Sequence, residues 1–123
     1  MIADDDARIR RSVRVGLESG GCQVVGEAAT ADEAIRLTVE HRPEVVMLDI
    51  HMPGNGIRAA QEISRSAPDT AIVMLTQSRE DDDLFDSLRA GAQGYLLKGT
   101  DPSTLVDVLR GVLAGEAAMP PAL

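Results

Sequence analysis

The chain alternates short apolar runs with segments of helical periodicity. The runs lie at 1–3, 45–48, 71–75 and 95–97, with a weaker one at 22–28, and they are too short for separate helices and rich in Val, Ile and Leu, as buried strands are. Between them, apolar residues recur every three or four positions, which predicts amphipathic helices. Five strand–helix units in strict alternation predict an α/β fold: a doubly wound, five-stranded parallel sheet with helices on both faces.

Local signals add detail to two of these helices. Thr30 and Glu33 have the spacing of a capping box, which predicts the start of the second helix. The fourth helix is acid-rich and is expected from about residue 80 to residue 90. Its spacing of apolar residues predicts that Leu84 and Leu88 face the core.

The composition limits the class of protein. With 123 residues, 44% of them hydrophobic and only 2% aromatic, the chain can bury one core of aliphatic side chains. A formal net charge of −8 argues against direct binding of nucleic acid or of an anionic membrane. The single cysteine, Cys22, cannot form an internal disulfide, and the sequence has neither a membrane-length apolar run nor a signal-like start. These features predict a reduced, cytoplasmic, single-domain protein.

Polar residues follow four of the five predicted strands at the point where each strand ends. They are Asp4 with Asp5, then Asp49, Thr76 and Lys98. Since the carboxyl ends of parallel strands share one edge of a sheet, and ligands bind in the crevice there, these side chains should lie close together. A lone Asp after a strand is more often only a cap for the next turn. Independent caps would not gather at a single edge.

The charge at this edge predicts a cation site. Asp4, Asp5 and Asp49 contribute −3 and Lys98 contributes +1, which leaves −2 before any ligand binds. Carboxylate-rich sites suit Mg²⁺ or a similar hard ion such as Mn²⁺, which also coordinates phosphate oxygens. A site neutralised in this way can accept a phosphoryl group on a carboxylate. Asp49 is the best candidate nucleophile because it follows the most buried strand.

Four segments at these strand ends carry a family resemblance. In chain order they are ADDDA, VVMLDIHMPG, IVMLT and GYLLK, and together they resemble the receiver domain of two-component response regulators, a CheY-like fold with strand order 2-1-3-4-5. The resemblance implies Asp49 as phosphoacceptor, Asp5 as a direct metal ligand and Asp4 as a second acidic contact, often through water. It also implies that the backbone carbonyl of His51 binds the metal.

The same resemblance implies a conformational switch. Thr76 and Lys98 would bind the phosphoryl oxygens, and Tyr95 would change from an exposed to a buried rotamer, altering the surface of the fourth helix, fifth strand and fifth helix. That surface, or the first and fifth helices beside it, would mediate a phosphorylation-dependent homodimer. The phosphodonor would be a sensor histidine kinase. The domain would be a regulatory phosphoacceptor and not a turnover enzyme.

The GYLLKG run and the terminal LAGEAAMPPAL further resemble the LuxR/NarL-type subclass, in which a helix-turn-helix output domain follows a linker. On this interpretation residues 1–115 are the receiver domain and 116–123 begin the linker. DNA would be bound only through an output domain outside this sequence, and no membrane partner is expected. The start also looks clipped, because three residues are short for a strand that lies inside the sheet.

Two other function classes fit the residues less well, and one alternative stays open. A phosphatase with an Asp nucleophile needs a second acid two residues later, where this chain has His51. A flavodoxin-like cofactor module needs a phosphate-cradling loop after the first strand, where three aspartates would repel phosphate. A receiver-like domain that signals by protein interaction without phosphorylation stays open. The imidazole of His51 either orders a water near Asp49 or is a solvated loop side chain.

Overall fold

The computed structural model describes residues 1–77 and 81–115. Within those ranges strands and helices alternate, with bounds β1 Ile2–Ala3, α1 Ala7–Ser19, β2 Glu27–Ala28, α2 Ala31–His41, β3 Val45–Asp49, α3 Gly56–Ser66, β4 Ala71–Thr76, α4 Asp81–Arg89, β5 Gly94–Leu97 and α5 Pro102–Leu113. All strand pairs are parallel, in the order β2-β1-β3-β4-β5. The predicted fold and strand order are therefore confirmed. The predicted linker at 116–123 and the predicted helix start at residue 80 lie outside the described residues.

The second strand is shorter than expected. The sequence predicts a strand over 22–28, but only Glu27–Ala28 pairs with β1. β1 lies between β2 and β3 and is itself only two residues long, so residues 22–25 have no length of β1 to pair with. A strand forms only where a neighbouring strand offers backbone hydrogen bonds, and an apolar sequence alone cannot replace that neighbour. Val25 is accordingly 42% exposed.

Two apolar clusters pack on the two faces of the sheet. Successive residues of a strand point to opposite faces. Leu48 therefore joins the cluster under α2, α3 and α4, whereas Met47 joins the cluster under α1 and α5. In α4, Leu84 is buried as predicted, but Leu88 is 38% exposed, so the prediction that it faces the core is wrong. The buried stripe of α4 instead continues three positions after Leu84, at Ser87.

The predicted capping box is present at the start of α2. Thr30 Oγ1 accepts a hydrogen bond from the N–H of Glu33 at 3.2 Å, and Glu33 Oε1 accepts one from the N–H of Ala29 at 2.9 Å. The first bond satisfies a backbone donor that the helix itself leaves unpaired, and the second ties the residue before the N-cap to the first turn of the helix. The loop between β2 and α2 is fixed as a result.

The α-amino group of Met1 is buried inside the sheet. It donates a hydrogen bond to the carbonyl oxygen of Val45 at 3.2 Å, and Met1 as a whole is buried. Burial penalises the charged form and lowers the pKa of this amino group to about 6. At neutral pH the folded chain therefore holds most of the amine in its uncharged form.

We expect the free energy of unfolding to rise between pH 6 and pH 8. In this window the unfolded chain, whose amino group has a pKa near 8, binds more protons than the folded chain, whose amino group titrates at about 6. Stability increases with pH wherever the unfolded state binds more protons. A pKa difference of about two units corresponds to about 2 to 3 kcal/mol. Urea unfolding at several pH values measures this increase.

An N-terminally acetylated chain is the matched control for this measurement. Acetylation removes the titrating amine and leaves both histidines, His41 and His51, in place. The dependence of the unfolding free energy on pH should flatten in the acetylated chain. An unchanged slope would assign the dependence to other groups.

Candidate functional site

Three of the predicted site residues meet at the carboxyl-terminal edge of the sheet. Asp4 follows β1, Asp49 ends β3 and Lys98 follows β5. The Lys98 ammonium lies 2.9 Å from Asp4 Oδ2 and 3.1 Å from Asp49 Oδ1. Asp4 is fully buried, and Asp49 is nearly so. The strand order thus brings together one lysine and two carboxylates that are far apart in the sequence.

Asp5 completes an acidic cluster at this edge. The carboxylates of Asp4, Asp5 and Asp49 each offer one oxygen, and these oxygens all lie within 4.8 Å of one another. A pocket of about 290 Å³ opens beside them and is lined by Asp5, Asp6, Ile9, Asp49, His51, Gln77 and Lys98. Because Asp5 is exposed, this cluster can be reached from solvent.

One carboxylate oxygen of Asp4 is buried with a single charged partner among the described residues. Asp4 Oδ1 accepts a hydrogen bond from the N–H of Asp6 at 2.9 Å. Within residues 1–77 and 81–115, Oδ2 contacts only the Lys98 ammonium, in an ion pair without regular hydrogen-bond geometry, and Lys98 is shared with Asp49. A buried carboxylate oxygen with so few partners is costly. Together with the all-oxygen donor set, this oxygen fits a hard cation such as Mg²⁺ or Mn²⁺.

Burial and charge act in opposite directions on the ionisable groups of the cluster. Burial raises the pKa of the Asp49 carboxyl, Lys98 lowers it and the charge of Asp4 raises it, and the net direction is upward. Burial also acts to lower the pKa of Lys98, but the carboxylates of Asp4 and Asp49 outweigh burial and raise it above the usual range. The lysine is therefore held in its charged form, while the carboxylates have too little positive charge around them.

Gly56 fixes the backbone around Asp49. A Cβ atom at this position would clash with the Asp49 carbonyl oxygen. Only glycine therefore allows the first residue of α3 to lie this close to the end of β3. The N–H of Gly56 donates to the carbonyl of Ile50 at 2.8 Å. The sequence identifies this glycine only as part of a turn, because a contact between backbones seven positions apart leaves no local pattern.

His51 connects the loop after β3 to α4. Its N–H donates to Asp49 Oδ1 at 3.2 Å, and its ring Nε2 lies 3.2 Å from Asp83 Oδ2. The side chain is exposed, as expected for a loop residue, but it has a defined partner in the first turn of α4. The backbone of His51 thus contacts the proposed phosphoacceptor while its side chain contacts a neighbouring helix.

Thr76 and Tyr95 lie on the neighbouring strands β4 and β5, and Tyr95 is farther than Thr76 from the edge that carries the three aspartates. Thr76 ends β4 and is fully buried, one position beyond Leu75, the residue paired with Asp49. Tyr95 pairs with Met74 in β5 and belongs to the apolar cluster under α2, α3 and α4. The ring of Tyr95 is buried in this structure. Tyr95 therefore already has, without a phosphoryl group, the buried position that the sequence analysis expects only after phosphorylation.

Arg10 is a functional candidate that the sequence patterns do not reveal. Its Nη1 donates to the Asp4 carbonyl at 2.7 Å, and its Nε donates to Glu27 Oε1 at 3.2 Å. Arg14 binds the other oxygen of Glu27 at 2.6 Å, and the two arginines lower the pKa of this carboxyl, Arg14 more strongly. In the sequence Arg10 is one of several helix arginines, and only the fold distinguishes it by placing it against the backbone of the acidic pair.

The sequence model of a protein family, the response regulator receiver domain, matches residues 1–110. The chain belongs to this family. It is 40% identical over 119 residues to the oxygen regulatory protein NreC of Staphylococcus epidermidis, a match that covers 94% of this chain and 55% of NreC. It is 38% identical over 118 residues to the uncharacterized transcriptional regulatory protein YxjL of Bacillus subtilis, covering 94% of this chain and 54% of YxjL.

The fold of this receiver domain is also similar to a solved structure. A two-component response regulator of the LuxR family from Aurantimonas sp. SI85-9A1 superimposes with a TM-score of 0.92 and 36% identity, over 99% of this chain and 89% of that chain. The relatives are response regulators of LuxR/NarL type, as the sequence predicts. The family decides against the flavodoxin-like and phosphatase interpretations.

The match to these relatives is partial in length. The chain spans about half the length of the curated relatives that it matches, 54% of YxjL and 55% of NreC. None of the helices in residues 1–77 and 81–115 has the length and apolar character needed to cross a membrane. What the receiver domain controls in a longer protein is therefore a matter for proposal.

Lys98→Met leaves two buried carboxylates without their counter-charge. At pH 7 and without divalent cations, this substitution should lower the free energy of unfolding by about 3 to 5 kcal/mol. In an Asp49→Asn background, where one of these carboxylates is already neutral, the same substitution should cost less. Urea denaturation of the four chains of this double-mutant cycle measures the coupling.

Lys98→Arg is the control for this cycle. It keeps the positive charge at the end of β5 and should destabilise the fold less than Lys98→Met does. Strict additivity of the Lys98 and Asp49 substitutions would contradict the bridging role of the lysine.

Proposed function

We propose that this receiver domain accepts a phosphoryl group on Asp49 from a sensor histidine kinase, in a reaction that depends on Mg²⁺, and thereby controls a DNA-binding output domain. The observation that carries the proposal is the cluster of Asp4, Asp5 and Asp49 around Lys98 at the pocket edge. Membership of the receiver family supports it. The domain is a regulatory phosphoacceptor in this proposal and not a turnover enzyme.

The metal would be held by the carboxylates of Asp5 and Asp49 and by the backbone carbonyl of His51, with Asp4 as a further acidic contact. Mg²⁺, or Mn²⁺ in its place, supplies positive charge to the phosphoryl oxygens when bound. The residues present fit such an ion, since the cluster has a formal charge of −2 (−3 + 1) and a buried Asp4 oxygen whose partner Lys98 is shared with Asp49.

Asp49 Oδ2 is the oxygen that we assign as nucleophile. Oδ1 accepts the N–H of His51 and contacts Lys98, so Oδ2 is the oxygen that these two contacts leave for the phosphoryl group. In the transfer, the Oδ2–phosphorus bond forms as the bond between phosphorus and the kinase histidine nitrogen breaks, and that nitrogen keeps the electron pair. Lys98 then stabilises the negative charge of the new aspartyl phosphate.

Asp49→Asn should abolish the mass gain of about 80 Da that one phosphoryl group gives when the chain is incubated with acetyl phosphate and Mg²⁺. The amide is not a nucleophile under these conditions. Intact-mass spectrometry measures the gain. Asp107→Asn, which neutralises an exposed aspartate of α5, is the matched control and should label normally. A mass gain that persists in Asp49→Asn would move the phosphoacceptor elsewhere.

Thr76 is the residue that we propose to relay phosphorylation to the surface. A hydrogen bond to a charged group contributes about 1.5 to 3 kcal/mol, which shifts a two-state equilibrium roughly ten- to a hundredfold. Thr76 and Tyr95 lie on the paired strands β4 and β5, so a movement of Thr76 changes the space available to the ring. α4 packs beside this region and carries two exposed apolar side chains, Phe85 and Leu88.

The output in this proposal is a homodimer that forms through α4, β5 and α5, or through α1 and α5 beside them. In a longer protein such a dimer would pair two output domains on DNA. The acidic surface of the isolated receiver opposes self-association, since its formal net charge is −8. Dimerisation of this chain alone is therefore expected to be weak.

Thr76→Ala should prevent beryllofluoride, a stable phosphoryl mimic, from promoting self-association, while the mimic still binds at Asp49. Sedimentation velocity measures the association, and the NMR signals of the Tyr95 ring report its environment. Thr38→Ala is the control, because Thr38 is a buried threonine of α2 whose hydroxyl has no hydrogen bond in the described part of the chain. Equal responses of the wild type and Thr76→Ala in both measurements would exclude Thr76 as the relay.

A further inference from the structure

Arg10 in α1 contacts the backbone of the acidic edge. Its Nη1 donates a hydrogen bond to the carbonyl oxygen of Asp4 at 2.7 Å, and its Nε donates to Glu27 Oε1 at 3.2 Å. The Arg10 side chain is only 20% exposed, so the guanidinium lies against the protein. A planar guanidinium that donates in two fixed directions is a rigid connector between its two acceptors. Arg10 thus joins β2 to the peptide group that follows Asp4.

The carbonyl that Arg10 binds belongs to the peptide group between Asp4 and Asp5. This peptide group lies after β1 ends at Ala3 and before α1 begins at Ala7. A peptide group is planar, and the residues that carry the two carboxylates are attached to its two ends. A rotation of this one peptide group would therefore move the carboxylates of both Asp4 and Asp5.

The positions of these carboxylates matter because a hard cation tolerates little error in its ligands. One oxygen each from Asp4, Asp5 and Asp49 lie within 4.8 Å of one another. Mg²⁺ requires near-octahedral geometry, with oxygens at about 2.0 to 2.1 Å. Asp5 is exposed, so its carboxylate depends on the backbone that carries it for its position. Groups that orient metal ligands contribute to metal affinity although they do not touch the metal.

We propose that Arg10 is a positioning residue of the metal site, which holds the peptide group between Asp4 and Asp5 in the orientation that presents both carboxylates to a divalent cation. Glu27 orients Arg10 and so acts one step further from the site. This inference rests on the proposed function, because it requires that the acidic cluster bind Mg²⁺.

The attachment of α1 to β2 does not depend on Arg10 alone. Arg14, one turn later in α1, already contacts β2, since its Nη1 lies 2.6 Å from Glu27 Oε2. The N–H of Asp4 is also bound from β2, because it donates to the carbonyl of Ala28 at 3.0 Å. Arg10 adds the contact with the carbonyl of Asp4. Both backbone polar groups of Asp4 are therefore fixed from the same side of the sheet.

Charge and positioning predict opposite effects of removing Arg10. Its guanidinium places a positive charge beside an acidic cluster, so by electrostatics alone its loss should make the site more attractive to a cation. If Arg10 positions the carboxylates, its loss should instead weaken cation binding. The sign of the change in Mg²⁺ affinity separates the two effects.

The test measures the Kd for Mg²⁺ by NMR titration of the backbone amide signals of the folded chain, with no phosphodonor present. Arg10→Gln should raise this Kd about tenfold or more. Arg11→Gln removes the same charge from an exposed position of the same helix and should leave the Kd unchanged or lower it slightly. Arg10→Lys keeps the charge but lacks the two-directional fork of the guanidinium, so its Kd should also rise.

Glu27→Gln tests the second step and does not require Arg10→Gln to fold. The substitution keeps the size of the side chain and removes the charged acceptor that orients Arg10. It should raise the Kd for Mg²⁺ in the wild-type background and raise it less in Arg10→Lys, where the fork is already lost. Equal fold-changes in the two backgrounds would show that Glu27 acts by its charge alone, which would overturn its role through Arg10.

The wild-type chain distinguishes a failure of this inference from a failure of the proposed function. If the wild type binds Mg²⁺ and gains the phosphoryl mass, but Arg10→Gln binds Mg²⁺ as tightly as Arg11→Gln does, Arg10 is not a positioning residue and the proposed function stands. If Mg²⁺ shifts neither the Asp5 nor the Asp49 amide signal of the wild type, the cluster is not a metal site. That result would overturn the proposed function together with this inference.

Discussion

The ion pair between Lys98 and the two buried carboxylates is the constraint on which the acidic edge depends. Asp4 and Asp49 end neighbouring strands, and two carboxylates about 5 Å apart repel each other by roughly 3 kcal/mol at an effective dielectric constant near 20. Lys98 reaches both from β5, so the charges of three strands are balanced at one point. The balance is incomplete because Asp5 adds a third carboxylate. The apolar sheet thus supports an edge that carries three carboxylates and one lysine.

Much of the fold could be predicted from the sequence because the apolar runs and their polar ends are local patterns. The alternation of strands and helices predicts the doubly wound sheet, and the rule that parallel strands share a carboxyl edge predicts that Asp4, Asp49 and Lys98 lie together. The length of β2 could not be predicted, because pairing depends on how many residues its neighbour β1 provides. Leu88 was assigned to the core from spacing alone, and the actual rotation of α4 is set by its packing.

The site details that escaped prediction all involve contacts between segments distant in the chain. Arg10 reaches the carbonyl of Asp4 from α1, and the ring of His51 reaches Asp83 in α4. Neither contact has a signature in residue type or spacing, because each depends on how a helix sits against the edge of the sheet. Arg10 in turn donates a hydrogen bond to Glu27, the first residue of β2. The acidic pair is therefore supported from β2 and α1 as well as from β5.

The contact of Gly56 with the carbonyl of Asp49 has a mechanical consequence. Because the first residue of α3 has no space between itself and the backbone of β3, any displacement of the Asp49 backbone must carry the start of α3 with it. The loop between them is tied at both ends, since Gly56 also donates to Ile50. A displacement of the Asp49 backbone would therefore be passed directly to the first turn of α3.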